Sequence, residues 1–312
     1  MGTREAGWRP GAAGGAYAAV IPVAGRATRL WPATAVFPKA MLPLVDRPIV
    51  AYAVDEAARA GLRDVIFITD PARDQVQAYF EMLPAVEAAA RARGMHLRLC
   101  PAVRFHYVPQ EQPLGLGHAV GLAEDLVGDR PFVVLLPDDV LLGPPEGLDE
   151  MVRLARRTGR PVVAVRPVDP RQVRSYGVVA PGARCGPGVH EVRDLVEKPS
   201  PESAPSNLAI VGRYVLPPSI FPLLRETAPS PSGDIELTEA LRRLNHEQPL
   251  LAYEFPGRVL DTGQKLGFMQ ATVEMALAHP EVGRAFAAYL AERCADGLED
   301  GSDPPGRMAG PA

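Results

Sequence analysis

The chain has 312 residues, and of its 33 basic residues only Lys39, Lys198 and Lys265 are lysine. In a chain that has drifted so far toward arginine, the positions that keep a compact ammonium on a thin stem are candidates for slots that a planar guanidinium fork does not fit. Lys39 comes shortly after a turn, Ala24-Gly25-Arg26-Ala27-Thr28-Arg29, that leaves an apolar run. A glycine-containing turn of this kind lets backbone N–H groups approach phosphate oxygens, and Arg29 and Lys39 would add charge-assisted bonds to a triphosphate. The turn carries neither the GxxxxGK[ST] loop nor the GxGxxG fingerprint. On these residues alone, an ordinary β-turn with solvated arginines explains it equally well. Asp138 closes the apolar run Phe132–Leu136, at a strand C-terminus, where open α/β sheets bind ligands and where a carboxylate can carry a divalent cation. Asp139 beside it reads as a turn residue.

The elements that must hold these groups follow from the apolar pattern. Tyr17–Val23, Asp64–Thr69, Phe105–Val108, Phe132–Leu136 and Pro161–Val165 read as strands. Pro48–Ala60, Asp74–Leu83, His118–Leu126 and Leu148–Arg157 read as helices between them. The first helix has proline at its start and Gly61 as its stop. Continuous apolar strands alternating with helices of about ten residues predict an α/β fold with a Rossmann-like, mostly parallel sheet flanked by helices. After Val168 the pattern loosens into hairpin-like pieces, Gly177–Ala180, Val189–Val196 and Leu208–Val215, which predict a smaller mixed-sheet part. Helices over Lys265–His279 and Glu281–Cys294 close the chain. Residues 1–15 and 296–312 lack periodicity and read as disordered tails around one domain, 16–295.

Composition narrows the function. A net charge of −4 argues against a nucleic-acid binder that relies on phosphate attraction. Cys100, Cys185 and Cys294 form neither a disulfide framework nor a zinc site, and no apolar run suggests a membrane span. Gly11–Gly25 is broken by glycines and Pro22 and has no leucine, so a secretory signal is not expected. The expectation is a soluble cytoplasmic protein.

Longer strings carry a resemblance. Residues 19–48, AVIPVAGRATRLWPATAVFPKAMLPLVDRP, closely resemble the N-terminal signature of the sugar-1-phosphate nucleotidylyltransferases, G-x-G-T-R-L-x-P-x-T followed by P-K-x-x-L-P-x-x-x-K-P. Further blocks resemble the bacterial UTP–glucose-1-phosphate uridylyltransferases in particular: QEQPLGLGHAV (110–120), LPDDVLL (136–142), SYGVV (175–179), VEKP (196–199), SNLAIVGRYVL (206–216), GDIELTEAL (233–241) and DTGQKLGFMQA (261–271). All three lysines lie inside these blocks.

The resemblance implies an enzyme that joins UTP and glucose 1-phosphate into UDP-glucose and releases pyrophosphate. A phosphate dianion is already a nucleophile, so such a reaction needs positioning and charge neutralisation more than a proton-abstracting base. It implies Mg²⁺ held by Asp138 and Asp261, catalytic roles for Arg29, Lys39 and Lys198, and a nucleotide site at Ala24, Gly25, Gln110 and Gly115. A sugar site at Gly177, Glu197 and Asn207 and a homo-oligomer are expected too, with the C-terminal helices as candidate interface elements. The Gln110 amide complements N3–H and O4 of uracil, an edge that thymine shares. Lys265 is open between a phosphate role and the start of a helix. The chain departs from the pattern at Ala27, where the family has a second glycine, and at Ala35 and Ala40, where the uridylyltransferases carry lysine and glutamate. These changes keep open a thymidylyltransferase, a paralogue for another hexose 1-phosphate, or a weakly active nucleotide-sugar-binding homologue.

Overall fold

The first apolar run forms strand β1 (Ala18–Pro22) and divides its side chains between two cores. Ala19 and Ile21 enter one core and Ala18 and Val20 the other, as the period of two in an extended chain requires. Both faces of this strand are therefore covered, which is why it reads as continuously apolar. The computed structural model describes residues 17–73, 75–95, 102–142 and 147–295. The tails expected at 1–15 and 296–312 lie outside the described residues.

Beyond β1 come the short hairpin β2 (Pro43–Leu44) and β3 (Arg47–Pro48), then α1 (Ile49–Arg59), β4 (Asp64–Thr69) and α2 (Gln75–Ala92). Next are β5 (Arg104–Pro109), α3 (Gly115–Gly121), α4 (Glu124–Val127), β6 (Phe132–Leu135), β7 (Asp139–Leu142), α5 (Gly147–Thr158) and β8 (Val162–Pro167). The second half holds β9 (Gly177–Gly186), β10 (Val189–Glu197), β11 (Leu208–Leu216), α6 (Ile220–Glu226) and α7 (Leu237–Glu247). It ends with β12 (Leu251–Glu254), β13 (Arg258–Asp261), α8 (Lys265–Ala278) and α9 (Gly283–Ala295). Helix α2 runs on through Pro84, beyond the Leu83 end expected from the apolar pattern. The proline removes one backbone bond on an exposed face, and the alanine-rich stretch beyond it favours helix strongly enough to continue.

Among the described residues nine strands form one sheet, in the order β5-β4-β1-β6-β11-β8-β12-β10-β9. The expected mostly parallel sheet with a smaller mixed-sheet part is corrected by this arrangement: the nine strands form one mixed sheet. Strands β5, β4, β1 and β6 are parallel, whereas β11 runs antiparallel to both β6 and β8. The reason lies in the connections. Parallel neighbours need a long crossover, usually a helix, and no helix separates β9, β10 and β11, which pair antiparallel. Helices α1, α2 and α5 cover one face and α3, α6 and α7 the other. A smaller core of Leu44, Ile49, Val140, Leu260 and Ala271 packs α8 onto the β7–β13 pair. Among the described residues no helix is long and apolar enough to cross a membrane.

Candidate active site

Strands β1, β5 and β6 all end on the same edge of the sheet, and the residues just past those ends line a cavity of about 600 Å³. Ala24 and Gly25 follow β1, Gln110 follows β5 and Asp138 follows β6, while Lys39 and Gly115 come from the flanking segments. Arg26 and Thr28 line the cavity as well. Arg29 does not; its side chain is exposed on the 3₁₀ turn Thr28–Leu30. Ala40, one of the departures from the uridylyltransferase pattern, lines the cavity and is buried. Ala27 takes the left-handed conformation, φ 48° and ψ 48°. Its carbonyl accepts bonds from Leu30 N at 3.0 Å and Thr34 Oγ1 at 2.7 Å, which hold the turn in that shape.

Lys39 Nζ donates to Asp138 Oδ2 at 2.5 Å. Burial alone would raise the Asp138 carboxyl, but the Lys39 ammonium outweighs it and holds the group below its ordinary value. Asp261 reaches the same place from β13. A Cβ added at Gly263 would sit 2.8 Å from Asp261 Oδ1, 3.3 Å from Asp138 Oδ2 and 3.6 Å from Lys39 Nζ, so all three groups converge on that glycine. The junction is built by backbone: Asp139 pairs with Asp261 across β7 and β13, and Thr262 N and Oγ1 both donate to the Asp138 carbonyl at 2.8 Å. Gly263 N and Gln264 Nε2 each donate to Asp261 at 2.8 Å. Asp139 is a buried strand residue and not the expected turn residue. Burial and the carboxylates of Asp138 and Asp261 push it up to about 7. Among the described residues no cluster of three or more His, Cys, Asp or Glu side chains is suited to a metal. Mg²⁺ needs fewer, since it takes one or two carboxylates and completes its shell with water and phosphate oxygens. Asp138 and Asp261 fit that requirement.

A second cluster surrounds Lys198. Its ammonium pairs with Glu197 Oε1 at 2.8 Å and Glu236 Oε1 at 3.2 Å. Burial would lower this ammonium, but the two carboxylates raise it overall. Thr238 Oγ1 donates to Glu197 Oε2 at 2.5 Å, and a Cβ at Gly177 would lie 2.8 Å from Thr238 Oγ1 and 3.3 Å from Glu197 Oε2. Lys198 itself has φ 43°, a conformation that costs a non-glycine residue about 1 kcal/mol or more and that collects at functional sites. Among the described residues Asn207 makes no hydrogen bond to this cluster. Its Nδ2 donates to the Val168 carbonyl at 3.2 Å, just before the start of β11. Lys265 opens α8 and is exposed.

Sequence reasoning assigned no role to Glu236, Thr238 or Thr262, although the blocks GDIELTEAL and DTGQ contain them. The first block also connects the two clusters. Ile235 N donates to Leu114 O at 2.8 Å and Gly117 N donates to Ile235 O at 2.7 Å, beside the cavity, while the next residue, Glu236, reaches Lys198.

Residues 18–277 match the nucleotidyl transferase family, and the chain belongs to it. It is 40% identical over 278 residues to a UTP–glucose-1-phosphate uridylyltransferase of Bacillus subtilis, covering 87% of this chain and 93% of that one. A protein of the same name from Staphylococcus epidermidis is 38% identical over 279 residues, covering 87% and 96%. Among solved structures, a UTP-bound UGPase from Acinetobacter baumannii matches with a TM-score of 0.80 at 34% identity, covering 89% of this chain and 99% of that chain. A UDP-glucose pyrophosphorylase complexed with UDP-glucose matches with a TM-score of 0.75 at 34% identity, covering 89% and 100%.

Proposed function

We propose that this chain is a UTP–glucose-1-phosphate uridylyltransferase. The observation that carries the reading is the convergence of Lys39, Asp138 and Asp261 on Gly263, at the cavity formed by the ends of β1, β5 and β6. The nucleotide occupies that cavity, with its base toward Gln110 and Gly115 and its phosphates against the backbone of Ala24 and Gly25 and the Lys39 ammonium. Glucose 1-phosphate lies at the second cluster, where Glu197 accepts from sugar hydroxyls and Lys198 holds the phosphate. One phosphate oxygen attacks the α-phosphorus of UTP; the new P–O bond forms as the α–β bond breaks, and pyrophosphate leaves. Asp138 and Asp261 would hold Mg²⁺, which when bound neutralises phosphate charge as it develops in the transition state. Lys39, which donates to Asp138 here, would be the cation nearest the triphosphate.

The test is pyrophosphate release from UTP, dTTP, CTP and ATP, each with glucose 1-phosphate and with other hexose 1-phosphates. UTP with glucose 1-phosphate should be the best pair, and excess chelator should abolish its turnover. A preference for dTTP would move the chain to the thymidylyltransferases, and undiminished turnover in chelator would remove the metal. The expected homo-oligomer is supported by Leu266 and Met269, exposed on α8, and Tyr289, exposed on α9; light scattering should give more than one chain per particle.

A further inference from the structure

Gln110 is buried, and its amide nitrogen faces two groups on the first turn of α3: the Gly115 carbonyl at 3.3 Å and His118 Nδ1 at 2.9 Å. The Gly115 carbonyl can only accept, so an inverted amide would place two oxygens against each other. The nitrogen end therefore belongs on this side, and His118 must keep a lone pair on Nδ1, with its proton on Nε2. Both amide hydrogens are engaged inside the protein. The amide oxygen accepts no hydrogen bond from the described residues, and Gln110 lines the nucleotide cavity.

This matters because a free glutamine amide is ambivalent. Turned one way it offers an acceptor to the N3–H of uracil; turned the other way it offers a donor to the bare N3 of cytosine. Only an amide fixed in one orientation tells the two rings apart. We propose that His118 is a specificity-determining positioning residue: it latches the Gln110 amide so that an acceptor alone faces the base, which admits uracil and rejects cytosine. This rests on the reading of the cavity as the nucleotide site. His118 does not line the cavity and acts only through Gln110. The α3 turn that carries it is itself fixed by the Ile235 backbone through Leu114 and Gly117, and Gly115 and Gly117 have no room there for a Cβ. Thymine shows the same N3–H as uracil, so the latch does not separate UTP from dTTP.

Calorimetric affinities for UTP, dTTP and CTP, in excess Mg²⁺, provide the test for wild type, His118→Leu, His118→Asn and Gln110→Leu. Leucine keeps bulk but has no lone pair, and the UTP:CTP preference should fall about tenfold, the scale of one buried hydrogen bond. Asparagine carries an oxygen close to the Nδ1 position and should retain most of the preference. The UTP:dTTP ratio should stay put in both. A purely structural role would weaken all three nucleotides together and leave the ratios unchanged, which would overturn the latch. An unchanged UTP:CTP ratio in His118→Leu alongside a lost one in Gln110→Leu would also overturn it, while leaving Gln110 as the base reader. If Gln110→Leu keeps the wild-type preference, Gln110 does not read the base and the latch falls with it. His118→Ala makes the same prediction should leucine prevent folding.

Discussion

At the scale of single residues, Ala27 shows how a departure from a motif can keep the shape that the motif encodes. The family places glycine where this chain has alanine, and the backbone there is left-handed all the same, held by Leu30 N and Thr34 Oγ1. The left-handed region costs an L-residue about 1–2 kcal/mol. Glycine would relieve that cost but lose part of the gain to the greater freedom of its unfolded chain. Ala27→Gly should therefore raise stability by about 0.5–1 kcal/mol, read from denaturant midpoints, and tighten UTP binding a few-fold. A loss of stability would mean that the alanine methyl packs usefully. Lysine scarcity, a statement about composition, singled out Lys39, Lys198 and Lys265; the first two stand in charged clusters and the third is exposed. It had nothing to say about Arg29, which the turn leaves exposed, because spacing along a loop does not fix which side chains turn inward.

At the scale of elements, two ionic contacts brace opposite ends of the sheet's strands. Arg213 on β11 is almost fully buried. It binds the Glu56 carboxylate of α1 with contacts of 2.7–3.1 Å and donates to the carbonyls of Leu136 at 2.8 Å and Asp139 at 2.9 Å, on either side of Asp138. Arg213→Met would leave the largely covered Glu56 carboxylate unpaired and should cost about 3–5 kcal/mol in thermal or denaturant unfolding. Replacing Glu56 by methionine as well should recover much of that stability but not turnover, because the carbonyls that fix the Asp138 turn stay without donors. Full recovery of both would make the contact merely structural. At the opposite ends of the strands, Asp64 of β4 accepts from Arg104, His106 and Arg130. The Arg104 bonds lead in holding its carboxyl well below the ordinary value of 3.8, against the opposing effect of burial, and His106 and Arg130 add to them. A depressed carboxyl stabilises the fold above its unfolded value and loses that contribution as pH falls through the folded value. Asp64→Asn should therefore cost about 1–2 kcal/mol at pH 7, and the gap between variant and wild type should narrow below pH 4. A gap that does not change between pH 7 and pH 3 would contradict the assignment.

At the scale of the whole molecule, the apolar runs made the alternation of strands and helices legible, because each buried strand is continuous and bounded by polar turns. They did not make the pairing legible. Whether β11 lies parallel or antiparallel to β6 depends on connections that hydrophobicity does not encode, and the mixed sheet follows from the absence of a crossover helix between β9 and β11. The same holds at the site. Ala24, Gly25 and Asp138 were legible because they stand where apolar strands end, and those ends share one edge; Gln110 was legible only through the resemblance of its block. Glu236, Thr238 and the His118 contact were not, since their meaning arises only when α3 and the 233–238 segment meet. The bond that the short polar side chain of Asn207 closes to the Val168 carbonyl was out of reach for the same reason. One continuous sheet thus carries both clusters, with Lys39 in the cavity at the strand ends and Lys198 beside Glu197 and Glu236.

The separation of those two lysines is the centre of this account, and UTP titrated calorimetrically into Lys198→Ala tests it most directly. Lys198 touches Glu197 and Glu236 and is not among the cavity residues, so its removal should leave UTP affinity within about twofold of wild type while kcat/KM for glucose 1-phosphate collapses. Loss of UTP binding in that variant would contradict the account, because it would place Lys198 on the nucleotide and merge the two subsites into one.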